Sequence, residues 1–214
     1  MITVHTKLVA LLGTPLAQSL STLMQNAAFR SCGLDYEYFP VETTEQSLAP
    51  IVAGIRHMNF AGFGVTKPDK VAVIKHLDEL DEFAAKMGAV NTVVIGEGGK
   101  LKGYNTDGVG FLRSLGEHYA KPLSESIFVC LGAGGAARAI CSSLAYRGAA
   151  KIIVSSLFDW ESEQLVQDIN ANFAPVASMI PWGEQQALLH AAEPADMIIN
   201  ATGVGMGAHV GESP

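Results

Sequence analysis

A chain of 214 residues that is 49% hydrophobic and 16% charged holds enough apolar material for one large domain or two small ones. Its net charge of -7, its pI near 5.3 and its lack of a Lys/Arg cluster argue against nucleic acid as a partner. No apolar run approaches the roughly 20 residues of a membrane-spanning helix, so no membrane partner is expected.

The opening MITVHTKLVALLG lacks a basic leader and a small-residue cleavage site, and reads as a first strand over Lys7–Leu12, ended by Gly13 and Pro15. Ser21–Cys32 has helical character and stops at Gly33. Tyr36–Val41 alternates as a strand. Glu45–His57 reads as a helix with Thr43 or Thr44 as N-cap. Phe60–Val65 is a strand, and Lys70–Leu77 and Glu79–Lys86 look helical. Val90–Ile95 is β-branched and runs into GEGG, a hairpin turn, with Leu101–Tyr104 returning and Asp107–Leu115 starting a helix.

After a polar connector, Gly116–Ser126, the pattern changes. IFVCLG is a short apolar run suited to a buried parallel strand, and GAGGAARAICSSLAYRG is a Gly-rich turn opening a small-residue helix. KIIVSS is the next strand, Asp159–Ile169 a helix, and ADMIINATG a further strand. Strands alternating with helices predict an α/β chain. We expect an N-terminal α/β substrate domain of mixed connectivity over residues 1–110, and a doubly wound, Rossmann-type nucleotide-binding domain over 111–214, incomplete at its C-terminus.

The three cysteines, Cys32, Cys130 and Cys141, form no CxxC pair and are odd in number, which suits a reducing cytosol; a cytoplasmic protein is expected. The six histidines are scattered without metal-ligand spacing, so no metal is expected.

Gly132-Ala133-Gly134-Gly135-Ala136-Ala137 fits G-x-G-x-x-[G/A] directly after a strand and at the start of a helix. Gly132 permits the tight turn, Gly134 lets the backbone approach a pyrophosphate, and Ala137 allows close helix–strand packing. The helix N-terminus offers N–H donors and positive dipole to the anion. About 20 residues on, where the adenosine ribose is held, the strand KIIV ends in Ser155-Ser156-Leu157, and Asp159 is the nearest acid. With no arginine there for a 2′-phosphate, the cofactor is read as NAD or NADP with a lean to NAD.

Six motifs in order give the chain a wider likeness: GTPLAQSLS (from Gly13), GFGVTKPDK (Gly62–Lys70), GAVNT (Gly88–Thr92), YNTDGVGF (Tyr104–Phe111), GAGGAARA (Gly132–Ala139) and NATGVGM (Asn200–Met206). On these the chain resembles the shikimate/quinate dehydrogenases over nearly its whole length. The resemblance implies reversible, NAD(P)-dependent hydride transfer at the alcohol or ketone carbon of shikimate or quinate. Lys70 and Asp107 are then catalytic, facing each other across an interdomain cleft in the family. Lys70 would stabilise charge on the substrate oxygen and exchange its proton, and Asp107 would hold Lys70. Ser19 and Ser21 would meet the substrate carboxylate; Thr66, Asn91, Lys70 and Asp107 would meet ring hydroxyls. Gly132, Ala133, Gly134, Gly135, Ala136 and Ser156 would hold the cofactor, with Asn200, Ala201, Thr202 and Met206 at its nicotinamide end. A homodimer is left open.

The sequence departs from the family pattern at Gln18 and Thr22, where histidine and proline are usual, and at Gly64, where asparagine is usual. Family members also continue beyond the point where this chain ends, so a partial chain is expected. Two other readings stay open: a dehydrogenase of another cyclic polyol-carboxylate, and a non-catalytic binding relative.

Overall fold

The computed structural model describes residues 2–206 and 209–214. It divides into two compact units, residues 1–105 and 106–214, each with its own sheet and core.

The first unit is built on a six-stranded sheet of order β2-β1-β3-β5-β6-β4. Its strands are β1 (Lys7–Gly13), β2 (Tyr36–Glu42), β3 (Phe60–Val65), β4 (Glu79–Leu80), β5 (Thr92–Ile95) and β6 (Leu101–Tyr104). β1 runs parallel to both β2 and β3, whereas β5 is antiparallel to β3 and to β6. The continuous apolar run of β1 follows from burial on both faces. Ala10 and Leu12 point into a core with Phe63, Val65 and Val93, covered by Leu48, Val52 and Ile55 of α2 (Glu45–Ile55). Leu11 points the other way, into a smaller cluster with Leu16 and Tyr38, against which Phe29 of α1 (Ser21–Ser31) packs.

Three expectations need correction here. Glu79 and Leu80 do not begin a helix: they form β4, parallel to Lys102–Gly103. The helix α4 (Glu82–Met87) starts later because the Asp81 side chain caps it, accepting from the Phe83 N–H at 3.1 Å. The segment after β3 is α3 (Asp69–Ala72) followed by a 3-10 turn over Val73–His76. Val90 and Asn91 lie outside β5, because the Val90 N–H is given to the Lys70 carbonyl.

The second unit carries a four-stranded parallel sheet of order β10-β7-β8-β9. Its strands are β7 (Ile127–Leu131), β8 (Lys151–Ser155), β9 (Ala177–Met179) and β10 (Met197–Asn200). That is half of a doubly wound Rossmann arrangement, with the order switching beside β7. Its helices are α5 (Asp107–His118), α6 (Gly135–Tyr146), α7 (Asp159–Asn172) and α8 (Gln185–Ala192). The short strand β9 and the helix α8 are additions to the sequence reading. β7 is again buried on both faces: Phe128 and Cys130 pack with α6 and α7, while Val129 and Leu131 pack with Ile153 and with Leu188 of α8. Cys130 and Cys141 are free, fully buried thiols. The hydrogen bond with Cys130, together with burial, pushes the Cys141 thiol well above its ordinary pKa, which makes it a poor nucleophile.

The helix pair α5/α6 sets the position of the segment containing Asp107. A Cβ at Gly108 would overlap the Ser143 hydroxyl and lie 2.7 Å from the Ala139 carbonyl oxygen. The hydroxyl can swing aside, but the backbone carbonyl cannot. Gly108→Ala gains about 1 kcal/mol of helix propensity against roughly 1–3 kcal/mol for overpacking a filled core, and the backbone clash places it at the upper end. A net loss of about 1–2 kcal/mol, read as a thermal midpoint lower by roughly 2–8 °C, is the expected outcome in a differential scanning experiment.

Candidate functional site

In the first unit, the candidate residues gather at the carboxyl ends of β1 and β3. The parallel pairing continues past both strands: the Thr66 N–H donates to the Leu12 carbonyl at 2.8 Å, and the Thr14 N–H donates to the Lys67 carbonyl at 2.9 Å. Thr14–Pro15 and Lys67–Pro68 are both cis peptides. The loop of Ser19 and the loop of Thr66 are therefore laced together by backbone bonds. A further tie comes from Glu42, at the end of β2, whose carboxylate accepts from the Leu16 N–H at 2.8 Å.

Ser19 and Ser21 are half-buried at the start of α1. The N-cap position, Leu20, supplies no side-chain cap, and the Ser19 hydroxyl accepts from the Ser21 N–H at 3.3 Å. Short hydroxyls beside an uncapped helix N-terminus form a donor-rich place for an anion without a full positive charge. Gln18 is exposed and Thr22 is half-buried within the helix, so neither family departure breaks the start of α1.

Lys70 is half-buried in the single turn of α3, and its carbonyl accepts from the Val90 N–H at 2.8 Å. Lys67, by contrast, is exposed. Asn91 joins the same edge: its carbonyl accepts from the Val65 N–H at 2.7 Å and its own N–H donates to the Tyr104 carbonyl at 3.0 Å. Its side-chain oxygen accepts from the Thr92 hydroxyl at 2.9 Å.

Two residues missed by the sequence reading fix this edge. Asp69, only 4% exposed, accepts a hydrogen bond from the buried hydroxyl of Thr43. The sequence left Thr43 and Thr44 as alternative N-caps of α2. The structure separates them: Thr44 and Ser47 form a reciprocal capping box, which releases Thr43 to hold Asp69, the residue next to Lys70. The only hint in the sequence was an aspartate and a threonine with no assigned partner, 26 positions apart.

In the second unit, Asp107 is the first residue of α5 and is half-buried. The Gly-rich loop lies between β7 and α6. Gly132 has φ +107° and sits so close to β10 that a Cβ would be 2.9 Å from the Ala201 carbonyl oxygen, so only glycine fits. Its N–H donates to the Ser155 carbonyl at 2.8 Å, and the Ala201 N–H donates to the Leu131 carbonyl at 2.8 Å. The ends of three parallel strands thus converge on this turn. Gly134 differs: a Cβ there meets nothing within 4 Å, and as N-cap of α6 it offers no side-chain cap. Ala137 is fully buried under α6. An open backbone approach leading to an uncapped helix N-terminus fits a dinucleotide's pyrophosphate.

The remaining cofactor candidates divide. Asn200 organises its own loop: its side-chain oxygen accepts from the Thr202 N–H at 3.0 Å and the Thr202 hydroxyl at 2.7 Å, and its amide donates to the Val204 carbonyl at 3.1 Å. Met206 is exposed just beyond. Ser156 is turned inward, 4% exposed, with its hydroxyl 2.8 Å from the Ser162 hydroxyl and donating to the Phe158 carbonyl at 2.9 Å. Asp159 accepts from the Trp182 N–H at 3.2 Å. Leu157, Phe158, Asp159 and Trp160 are all exposed in that turn.

The Thr43–Asp69 bond yields a direct test. Thr43→Val keeps the shape and leaves a buried carboxylate short of a donor, costing about 1–3 kcal/mol. Urea denaturation is expected to show that loss, and activity is expected to fall along with it because Lys70 is the adjacent residue.

Comparison with known proteins bears on the family of the chain. The family described as "Shikimate dehydrogenase substrate binding domain" matches residues 11–93. The shikimate dehydrogenase (NADP(+)) of Alkaliphilus metalliredigens is 40% identical over 205 residues, covering 96% of this chain and 71% of that protein. The crystal structure of shikimate 5-dehydrogenase from Listeria monocytogenes, in complex with shikimate and NAD, superposes with a TM-score of 0.86 at 38% identity, covering 99% of this chain and 74% of that one. Quinate dehydrogenase from Corynebacterium glutamicum in complex with NAD gives a TM-score of 0.82 at 31% identity, covering 97% and 74%. The chain belongs to the shikimate dehydrogenase family.

Proposed function

We propose that this protein catalyses reversible, NAD(P)-dependent hydride transfer between shikimate and 3-dehydroshikimate, with quinate as a second substrate of the same class. The observation that carries the reading is the lacing of the Ser19–Ser21 loop, the Thr66–Lys70 turn and Asn91 into one edge of the first sheet. A cyclic polyol acid needs several convergent hydroxyl and amide groups, and that edge supplies them.

The residues divide the work by their chemistry. Ser19 and Ser21 bind the substrate carboxylate, together with the first-turn N–H groups of α1. Thr66 and Asn91 hydrogen-bond ring hydroxyls and fix the ring's orientation. The bound nicotinamide supplies or accepts the hydride. As the ketone is reduced, negative charge grows on its oxygen; the Lys70 ammonium stabilises that charge and gives up a proton. In the oxidation direction the neutral amine takes the hydroxyl proton. Asp107, the first residue of α5, accepts a hydrogen bond from a substrate hydroxyl. Gly132, Ala133, Gly134, Gly135 and Ala136 hold the pyrophosphate, and Asn200 shapes the Ala201–Met206 loop at the nicotinamide end.

The turn after β8 bears on the choice of cofactor. A 2′-phosphate is dianionic and needs a cation, whereas Ser155–Trp160 carries none and includes Asp159. This supports NAD as the preferred cofactor, even though the relative from Alkaliphilus metalliredigens is named for NADP(+).

Two measurements on the full-length protein test these assignments. Reduced-cofactor absorbance is expected to show turnover with shikimate, and Lys70→Ala to lower kcat by about 10²–10⁴-fold; wild-type rates in that variant would remove the mechanism. Missing one charge-assisted contact to the 2′-phosphate is expected to favour NAD by roughly 10–100-fold in kcat/KM. A preference for NADP would overturn the cofactor assignment.

A further inference from the structure

The turn that follows β8 carries an apolar group that the sheet does not explain. Leu157, Phe158 and Trp160 are exposed by 71%, 54% and 66%. Single exposed apolar side chains are ordinary, but tryptophan is mostly buried, and large apolar side chains clustered on one turn mark a binding surface. The other tryptophan, Trp182, is packed against the cluster of Val129, Leu131 and Ile153.

The backbone beneath the patch is fixed. The Ser156 hydroxyl donates to the Phe158 carbonyl at 2.9 Å, the Glu161 N–H donates to the same carbonyl at 3.0 Å, and Asp159 accepts from the Trp182 N–H at 3.2 Å. Phe158 also stands at the N-cap of α7, where it makes no side-chain cap. Serine, threonine, aspartate or asparagine there would bond a free N–H of the first turn, and phenylalanine forgoes that bond. A residue that runs against its local structure points to a use elsewhere.

Position says what that use is. β8 lies beside β7, and the Gly132 N–H donates to the Ser155 carbonyl, so the patch begins just past a bond to the Gly-rich turn. In a Rossmann half the pyrophosphate sits on that turn and the adenosine runs out over the end of the next strand. The serine side chains there face inward: Ser155 is fully buried, and the Ser156 hydroxyl lies 2.8 Å from that of Ser162. What the turn offers a purine is its apolar and aromatic faces, on which such a base stacks.

We infer that Phe158 and Trp160, with Leu157 beside them, hold the adenine ring of the dinucleotide by stacking on its face rather than by hydrogen bonds to its edge. The inference rests on the dinucleotide reading of this unit under the proposed function.

The test uses the full-length protein and needs no turnover. ADP-ribose carries the adenosine and pyrophosphate of the cofactor without its nicotinamide. It is expected to quench tryptophan fluorescence in the wild type, and Trp160→Phe is expected to lose that quenching while keeping most of the affinity. By calorimetry, Trp160→Ala is expected to raise the Kd for ADP-ribose about 5–100-fold, with the thermal midpoint near wild type. Phe158→Ser is expected to raise that Kd as well while raising the midpoint by roughly 2–4 °C, since it gives α7 a cap. A merely structural role would not weaken binding in a more stable protein. A Kd unchanged in both Trp160→Ala and Phe158→Ser would overturn the inference. Self-association in sedimentation that Trp160→Ala abolishes, with the ADP-ribose Kd unchanged, would give the patch to a second copy of the chain and overturn it too. A wild type that binds no ADP-ribose would overturn the dinucleotide reading along with it.

Discussion

The first unit depends on the pairing of β1 with β3 continuing beyond the strands themselves. Two backbone bonds, from Thr66 to Leu12 and from Thr14 to Lys67, tie together the loops that leave two adjacent parallel strands. Parallel strands place their carboxyl ends side by side, and the chain must then leave the sheet at the same edge. Here the two exits are joined before they separate into α1 and α3. Ser19, Ser21, Thr66 and Lys70 therefore hang from one small hydrogen-bonded frame rather than from independent loops. Glu42 on the β1–α1 loop and Thr43 on Asp69 brace that frame from the end of β2.

The second unit uses the same constraint with different chemistry. β7, β8 and β10 are parallel, and bonds just past their ends join Gly132 to Ser155 and Ala201 to Leu131. The close approach of Gly132 to Ala201 leaves the turn no room for a side chain. The first unit presents side-chain hydroxyls and an amine at its strand ends, while this one presents bare backbone. Side chains suit a ring with many hydroxyls at fixed angles. Bare N–H groups at a helix start suit a pyrophosphate, which needs charge-matched donors more than shape.

Much of the scaffold was legible because burial writes itself into sequence. β1, β3 and β7 are apolar runs because both of their faces are covered, and their limits are set by glycine, proline and polar residues. Elements held by tertiary pairing rather than by pattern were not legible. β4 is two residues long and exists only because Lys102–Gly103 lies beside it. β9 has three residues and only intermediate or exposed positions, and α8 buries no residue fully. In the candidate sites, glycines and motif residues stood out, but their partners did not. Thr43 and Asp69 are separated by 26 positions, and no local periodicity links such a pair. Ser156 shows the opposite limit: the sequence located the right turn but could not tell that its hydroxyl faces Ser162.

A last point concerns charge. The proposed ligands, a carboxylic acid and a dinucleotide, are both anions, yet the chain carries a net charge of -7. At physiological ionic strength the Debye length is about 8 Å, so acids spread over the surface contribute little at a ligand's position. What counts is the handful of groups within contact distance. At the start of α1 those are two serine hydroxyls and uncapped N–H groups; at the start of α6 they are N–H groups behind Gly134. Two acids beside the start of α1 and α3 are already engaged: Glu42 accepts from Leu16 and Asp69 from Thr43. Each of these hydrogen bonds turns one carboxylate oxygen toward the protein's own donor. In the proposed mechanism Lys70 serves the reacting oxygen, where charge develops, rather than the carboxylate, where it already exists. A protein that held its substrate mainly through lysine or arginine would bind ground state and transition state alike; neutral donors for the fixed charge leave the ammonium's effect to the step that needs it.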